Sequence, residues 1–211
     1  MKRMTLAMFA ALLTMASTSF AATQAANTNT VAPTLNVTAT IQKAVSLTLA
    51  TGTTGGINHC TVVASGGASD YTMNFGTVDA LGINAGNCNK FNPVTAGTTN
   101  AIYWTDYQIT PVFTSHTATS GTTVTAQVTT DFAAPHNILI VRDTANSSTV
   151  PAGAASFSAM GTGAADNIGG ASVASGTALT RFIGVAVTPA NGATVLQGAQ
   201  TATVTFTLTV Q

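Results

Sequence analysis

Both ends of the chain alternate between apolar and polar side chains with a period of two. In the segment 35–49 every odd position except Lys43 is apolar, and Ala44 is the only apolar residue at an even position. In the segment 201–210 the even positions are apolar and the odd positions are all threonine. A period of two is typical of a β-strand that buries one face. The pattern therefore predicts strands at both ends of the sequence.

Strand patterns also occur between the two ends. The candidate strands show either the same alternation or a short apolar run, and they lie at 71–75, 101–113, 122–130, 137–141 and 182–187. The last two are nearly continuous apolar runs, as expected for strands that are covered on both faces. No segment has a strong helical period. The longest connection, 146–180, is unusually long for a loop in a compact domain. We therefore expect it to be functional, to be mobile or to contain short strands. Short strands separated by frequent turns predict an all-β chain with a β-sandwich fold.

The composition narrows the classes of protein. Charged residues make up 6% of the chain, against about 25% in an ordinary soluble domain. Glutamate is absent, whereas about 40 residues are threonine, which favours strands. A helical bundle is therefore not expected. The six lysines and arginines are too few for a nucleic-acid surface, and few side chains could hold or move a proton. We expect neither a nucleic-acid partner nor an enzyme.

The first 21 residues have the pattern of a secretory signal peptide. Lys2 and Arg3 supply positive charge, the mostly apolar stretch 6–16 follows, and Ser19 and Ala21 are small residues at the positions that a signal peptidase reads. We expect cleavage after Ala21. A membrane anchor is the alternative, but the apolar run is too short to span a bilayer. No later segment is apolar enough for a transmembrane helix. With the signal peptide removed, we therefore expect the mature chain to be exported rather than held in the membrane.

Cys60 and Cys88 are the only cysteines. In an exported chain an even number of cysteines usually indicates a disulfide. A bond between these two would contribute about 3.5 kcal/mol by reducing the entropy of the unfolded chain. The alternative is a metal-binding or catalytic thiol, for which His59 is the only neighbouring ligand type. We predict the disulfide.

Residues that could act in catalysis or bind a metal are scattered along the chain. His59, His116 and His136 have no paired spacing, and the six aspartates form no calcium-binding loop. There is no Gly-x-Ser-x-Gly motif, and no glycine-rich phosphate loop with a lysine. We therefore predict no metal site, no cofactor and no catalytic residues.

Tyr103, Trp104 and Tyr107 form the only aromatic cluster, and Asp106 lies within it. Aromatic side chains beside a carboxylate can form a sugar-binding platform. They are also ordinary core residues of a sheet. We favour a role in the core or in a subunit contact, and the ligand platform is the alternative.

A series of short motifs follows the first strand in a definite order. The motifs are Cys60-Thr61-Val62, Asn74-Phe75-Gly76-Thr77-Val78, Cys88 with Pro93, Asn137 with Arg142-Asp143-Thr144-Ala145, Phe182-Ile183-Gly184, Pro189, Gly192 and Gln197-Gly198. Together with two cysteines, a secretory signal and the alternating last strand, this order resembles the subunits of archaic chaperone–usher pili and the related spore coat protein U domains. The resemblance is strongest at the two ends of the mature chain.

The resemblance implies an immunoglobulin-like sandwich that lacks one strand. An N-terminal extension of the next subunit would fill the resulting groove as a strand added in trans. The implied partners are identical subunits, a periplasmic chaperone and an outer-membrane usher. The implied function is that of a structural subunit of a cell-surface pilus, polymerised head to tail, that supports adhesion or biofilm formation. A carbohydrate-binding adhesin module and a spore or cell-coat protein of the same fold are the alternatives.

The segment 22–42 is the candidate donor strand, and 43–211 is the candidate sandwich domain. Leu35, Val37, Ala39 and Ile41 would fill the pockets of the neighbouring subunit, because they share one face of an alternating, uncharged segment. The alternative is that this segment is the domain's own first strand. The alternating stretch is long for a single strand, which favours a division near Lys43.

Overall fold

Eleven strands and one short 3-10 helix make up the regular structure of the described residues. The computed structural model describes residues 37–39, 44–66, 70–92, 100–114, 121–189 and 197–211. The strands are β1 Val45–Thr51, β2 Val62–Ala64, β3 Tyr71–Met73, β4 Asn89–Phe91, β5 Ala101–Phe113, β6 Thr123–Thr130, β7 Ile138–Asp143, β8 Phe157–Ala159, β9 Asp166–Asn167, β10 Leu179–Val187 and β11 Thr203–Thr209. The 3-10 helix is Ala154–Ser156. No helix in these ranges is long and apolar enough to cross a membrane.

The chain divides into two compact units, Met1–Thr40 and Ile41–Gln211. In the first unit the structure describes only residues 37–39, which belong to no strand and are exposed. All eleven described strands belong to the second unit, where they form a six-stranded sheet, a three-stranded sheet and the two-stranded sheet β2-β3.

The larger sheet is antiparallel and is built around the long strand β5. Its order is β1-β5-β10-β7-β8, and β4 also pairs with β5. Strand β10 pairs along one edge of β5, whereas β1 and β4 share the opposite edge. On that edge β1 pairs with residues 107–113 and β4 with residues 102–104. The stretch of β5 at Thr105 and Asp106 therefore has no described strand beside it on this edge.

The smaller sheet has the order β11-β6-β9, and it packs on the larger sheet around a shared core. Tyr107 of β5 and Phe206 of β11 meet there, with ring centroids 5.7 Å apart and an interplanar angle of 63°. Ile109 and Ile183 from the larger sheet and Val124 from the smaller sheet belong to the same core. Antiparallel sheets around one core, together with one disulfide, confirm the predicted all-β fold of the sandwich type.

The two central strands of the larger sheet, β5 and β10, are buried on both faces. This burial confirms the prediction for the apolar run 182–187 in β10. The same prediction for 137–141 is wrong, because Leu139 of β7 is 39% exposed. Successive side chains of β5 point to opposite faces, so the side chains of β5 that share the core face with Tyr107 have odd residue numbers. On the other face Trp104 packs on the rings of Phe91, Phe157 and Phe182, at centroid distances of 5.2, 6.1 and 5.9 Å.

Four short strands, β2, β4, β8 and β9, have no clear signal in the sequence. Each contains only two or three residues, too few for a period of two to be recognised. Strands β8 and β9 lie within the long connection 146–180, and the expectation of short strands there is confirmed. The N-terminal alternation continues into β1, which begins at Val45.

Candidate functional site

Strands β1 and β11 lie at neighbouring edges of the two sheets. Strand β1 ends the larger sheet and β11 ends the smaller one, and their Cα atoms approach within 8 Å. In the part of the chain that the structure describes, β1 pairs only with β5, and β11 pairs only with β6. Each strand thus has one edge without a described partner strand, and such an edge can accept a further strand.

The core-facing apolar side chains of these two edge strands are only half-buried. They pack against the shared core and are Leu47 and Leu49 of β1 and Val204, Phe206 and Leu208 of β11. By contrast, the core-facing side chains of β6, the neighbour of β11, are at most 4% exposed. The core is therefore incompletely covered where the two edges meet. We call the two strand edges with these five side chains the β1–β11 edge.

Two of the four predicted donor residues are described by the structure. The side chain of Val37 is 81% exposed, and Ala39 is also exposed. Leu35 and Ile41 lie outside the described residues. Burial of such a large, exposed apolar side chain by a partner is favourable.

Cys60 and Cys88 form the predicted disulfide. Their Cα atoms are 5.2 Å apart, within the usual range, and both residues are buried. Cys60 lies just before β2 and Cys88 just before β4. The backbone N–H of Cys60 also donates a hydrogen bond to Thr105 Oγ1 at 3.0 Å. The disulfide therefore lies beside the stretch of β5 that neither β1 nor β4 covers.

A buried carboxyl group occupies the same stretch of β5. Asp106 is 0% exposed, and its Oδ1 lies 2.6 Å from Nδ1 of His59, while its Oδ2 accepts a hydrogen bond from the Thr54 backbone at 2.9 Å. Gly52 leaves the space that the carboxyl group fills. Asp106 thus holds the loop 52–59 against β5. The sequence has no signal for this pair, because His59 and Asp106 are 47 residues apart.

Gly52→Ala is expected to destabilise the domain by about 2–3 kcal/mol. An added Cβ would overlap the carboxyl group of Asp106 and force it out of its hydrogen bonds. Thermal unfolding followed by circular dichroism measures the loss. Gly55→Ala in the same loop is the matched control, because a Cβ there meets no atom within 4 Å. Equal melting temperatures for the two variants would contradict the role given to Asp106.

The three residues of the candidate ligand platform do not share one surface. Tyr103 and Tyr107 belong to core clusters between the sheets, whereas Trp104 lies in the cluster on the opposite face of the larger sheet. Their exposed fractions are 0%, 2% and 4% respectively. Burial raises the pKa of the Tyr107 phenol. These positions support the interpretation of all three as core residues.

Asp79 organises a tight turn that packs on the hydroxyl group of Tyr103. Its carboxylate accepts hydrogen bonds from the backbone N–H groups of Leu81, Ile83 and Asn84 and from the Asn84 side chain. The Tyr103 hydroxyl lies 3.2 Å from the same carboxylate. Burial opposes the charged form of Asp79, but the hydrogen bonds outweigh it and lower its pKa to about 2.

The lowered pKa predicts a change of stability in acid. In the unfolded chain Asp79 titrates near its ordinary value of 3.8. The folded state therefore gains stability from Asp79 above that pH and loses it as the pH falls towards 2. Asp79→Asn should melt below the wild type at pH 6, and the difference should shrink as the pH approaches 2. Thermal unfolding at several pH values tests this expectation.

The matched control is Asp70→Asn. Asp70 is exposed, and its side chain makes no hydrogen bond or ion pair to the described residues, so that this variant should melt with the wild type throughout. A deficit of Asp79→Asn that stays constant down to pH 2 would show that the charge of Asp79 does not stabilise the turn.

Nearly all charged side chains in the described ranges bond within the chain. Arg142 and Asp166 form an ion pair at 2.8 Å, and this hydrogen bond lowers the pKa of Asp166. Lys90 Nζ donates to the backbone carbonyl of Asn84 at 3.0 Å. Asp70 is the exception among the described charges. The outer surface of the described domain is therefore poor in free charge.

The histidines do not gather into a metal site among the described residues. His59 bonds to Asp106, and Nε2 of His136 lies 3.8 Å from a carboxyl oxygen of Asp131. His116 lies outside the described residues. No group of three side chains that could hold a metal ion is found in the described ranges.

No family model, curated protein or solved structure matches this chain. Its function is therefore inferred from its own residues and geometry.

Proposed function

We propose that the chain is a structural subunit of an extracellular filament, a pilus or fimbria, and that it polymerises head to tail by donor-strand exchange. The β1–β11 edge is the observation that carries this proposal. Its two strands lie side by side at the ends of their sheets, and their core-facing side chains are only half-buried. A strand added along this edge would pair with backbone groups that no described strand engages, and it would cover the exposed part of the core.

The proposed occupant is the segment 35–41 of a second copy. This segment alternates, carries no charge and has its large apolar residues on one face. Val37 is 81% exposed before assembly. At about 1.5–3 kcal/mol for each large apolar side chain, burial of Leu35, Val37 and Ile41 contributes about 4–9 kcal/mol, from which the cost of ordering the segment is subtracted.

The proposed contact is head to tail. The donor segment and the β1–β11 edge are different parts of the chain, so each copy can give its segment to one neighbour and accept the segment of another, which is a heterologous contact. A heterologous contact that does not close on itself produces an open chain of subunits. The scarcity of free surface charge supports the same proposal, because threonine-rich faces can pack along a filament without desolvating ions.

The motif order that resembles archaic chaperone–usher subunits supports the proposal and supplies its further partners. A periplasmic chaperone would cover the open strand edges until exchange, since such edges otherwise aggregate. An outer-membrane usher would then add each subunit to the growing filament. The secretory signal at 1–21 fits export before assembly, and adhesion or biofilm formation is the proposed role at the cell surface.

Protein sheared from the cell surface and loaded in SDS, with and without boiling, tests the proposal. Strand-exchanged polymers should resist SDS at room temperature, because a whole buried strand must be withdrawn before a subunit is released. We expect a ladder of bands that collapses to the monomer on boiling. A monomer band in both lanes would contradict polymerisation by strand exchange.

A further inference from the structure

A shallow groove lies beside the disulfide, and none of its residues belongs to the β1–β11 edge. Its volume is about 350 Å³, within the range of about 300–1,000 Å³ that is common for small-ligand sites. Apart from Cys60, the groove is lined by His59, Thr61, Val63, Thr72, Asn74 and Asn87. None of these side chains is a lysine, arginine, aspartate or glutamate.

His59 is held in place from behind. Its Nδ1 lies 2.6 Å from the carboxyl group of Asp106, which is 0% exposed, while 29% of the His59 side chain is exposed. The bond to Asp106 fixes the imidazole ring and leaves Nε2 as the ring nitrogen that Asp106 does not engage. A polar group that is already oriented binds a ligand with a smaller loss of conformational entropy.

Hydrogen bonds also orient the two asparagines of the groove. Each keeps one polar side-chain atom that has no hydrogen-bond partner in the described ranges. Asn74 Oδ1 accepts a hydrogen bond from the Gly76 backbone at 2.8 Å, and Asn87 Nδ2 donates to the Asn74 carbonyl at 3.1 Å. Asn74 Nδ2, Asn87 Oδ1 and the Thr61 hydroxyl make no hydrogen bond within the described ranges. The groove therefore combines spare donors and acceptors with an aliphatic side chain, Val63, that is 51% exposed.

We propose that this groove binds a neutral saccharide. Sugar hydroxyl groups both donate and accept hydrogen bonds, so they complement amide, hydroxyl and imidazole groups, while the C–H face of a sugar ring can pack on Val63. The absence of charged lining residues disfavours a charged ligand, because nothing would replace its hydration. A transition metal would find His59 as its only strong ligand in the groove, since Asp106 is buried behind it.

The experiment uses the mature chain sheared from the cell surface. It is applied to an array of neutral oligosaccharides of the glucose, galactose, mannose and N-acetylhexosamine series, and the strongest binder is then titrated by calorimetry. We expect saturable binding that Thr61→Ala and His59→Asn each weaken by about three- to tenfold, the effect of losing one hydrogen bond. The amide of His59→Asn can still donate to Asp106, and melting temperatures show whether each variant is folded. Thr77→Ala, at an exposed threonine outside the groove, should bind like the wild type.

Two results would overturn the proposal. The first is an array without binding, or binding that Thr61→Ala and His59→Asn leave unchanged. The second comes from a parallel titration with zinc chloride: zinc binding that is lost in His59→Asn, with no saccharide bound, would identify a metal site instead. Filament formation is read separately on the SDS gel, so that failure of saccharide binding leaves the proposed assembly intact.

Discussion

Ile41→Asp is expected to abolish filament formation while the chain is still exported and folded. In the proposed assembly the side chain of Ile41 enters the β1–β11 edge of the next subunit, where a carboxylate would lose its hydration among half-buried apolar groups such as Phe206. That cost exceeds the contribution of about 1.5–3 kcal/mol that the isoleucine makes. The SDS-resistant ladder should disappear, and monomer should be recovered from the medium. Val37→Asp is expected to give the same result.

Thr38→Asp is the matched control. It adds the same charge next to Val37, but on the opposite face of the alternating segment. A strand that inserts its odd-numbered side chains would leave residue 38 towards solvent, so filaments should still form. Loss of filaments in both variants would show that charge itself, rather than the face of the strand, blocks assembly. Normal filaments from Ile41→Asp would remove the segment 35–41 from the donor role.

Replacing both Cys60 and Cys88 with alanine is expected to lower the free energy of unfolding by about 3.5 kcal/mol. The disulfide joins residues 28 apart in sequence, and its loss increases the entropy of the unfolded chain. The native state also loses the link between the segments before β2 and β4. Urea unfolding in the Ile41→Asp background, where subunits are expected to stay monomeric, gives the difference directly.

Reduction of the unmodified disulfide provides the control for this change. The Ile41→Asp chain with a thiol reductant should unfold at nearly the same urea concentration as the alanine variant, because both lack the cross-link. A loss below about 1 kcal/mol would show that the unfolded chain is already restricted without the bond. A larger loss with alanine than with reductant would indicate that packing of the cysteine side chains matters as well.

The sequence predicts the long strands because burial imposes a period on them. Strand β11 alternates since one face meets the core, and β10 is apolar from Phe182 to Val187 since both of its faces are covered there. Strand β4 follows neither rule: Asn89, Lys90 and Phe91 form a strand only because β5 offers an unpaired edge to them. Such a strand depends on tertiary contacts that no local pattern records.

The candidate sites could be predicted from the sequence to different degrees, again because local patterns record burial but not tertiary contacts. The two cysteines could be paired from their number and from the predicted secretory signal. The alternation of β1 and β11 predicted one buried face for each strand, but sheet order decides that these strands lie next to each other. The contact between His59 and Asp106 arises where β1 and β4 leave a gap on β5, and such a gap has no sequence pattern.

In the proposed assembly, the half-buried side chains of β1 and β11 would tie the stability of a subunit to the number of copies around it. If a second chain completes the core, the apparent free energy of folding contains a binding term that grows with subunit concentration. Dilution would then lower the melting temperature of free subunits, whereas subunits inside a filament would be insensitive to it. In the proposed filament, the subunit at one end would still have an open edge. That terminal subunit would be both the point of growth and the first to unfold.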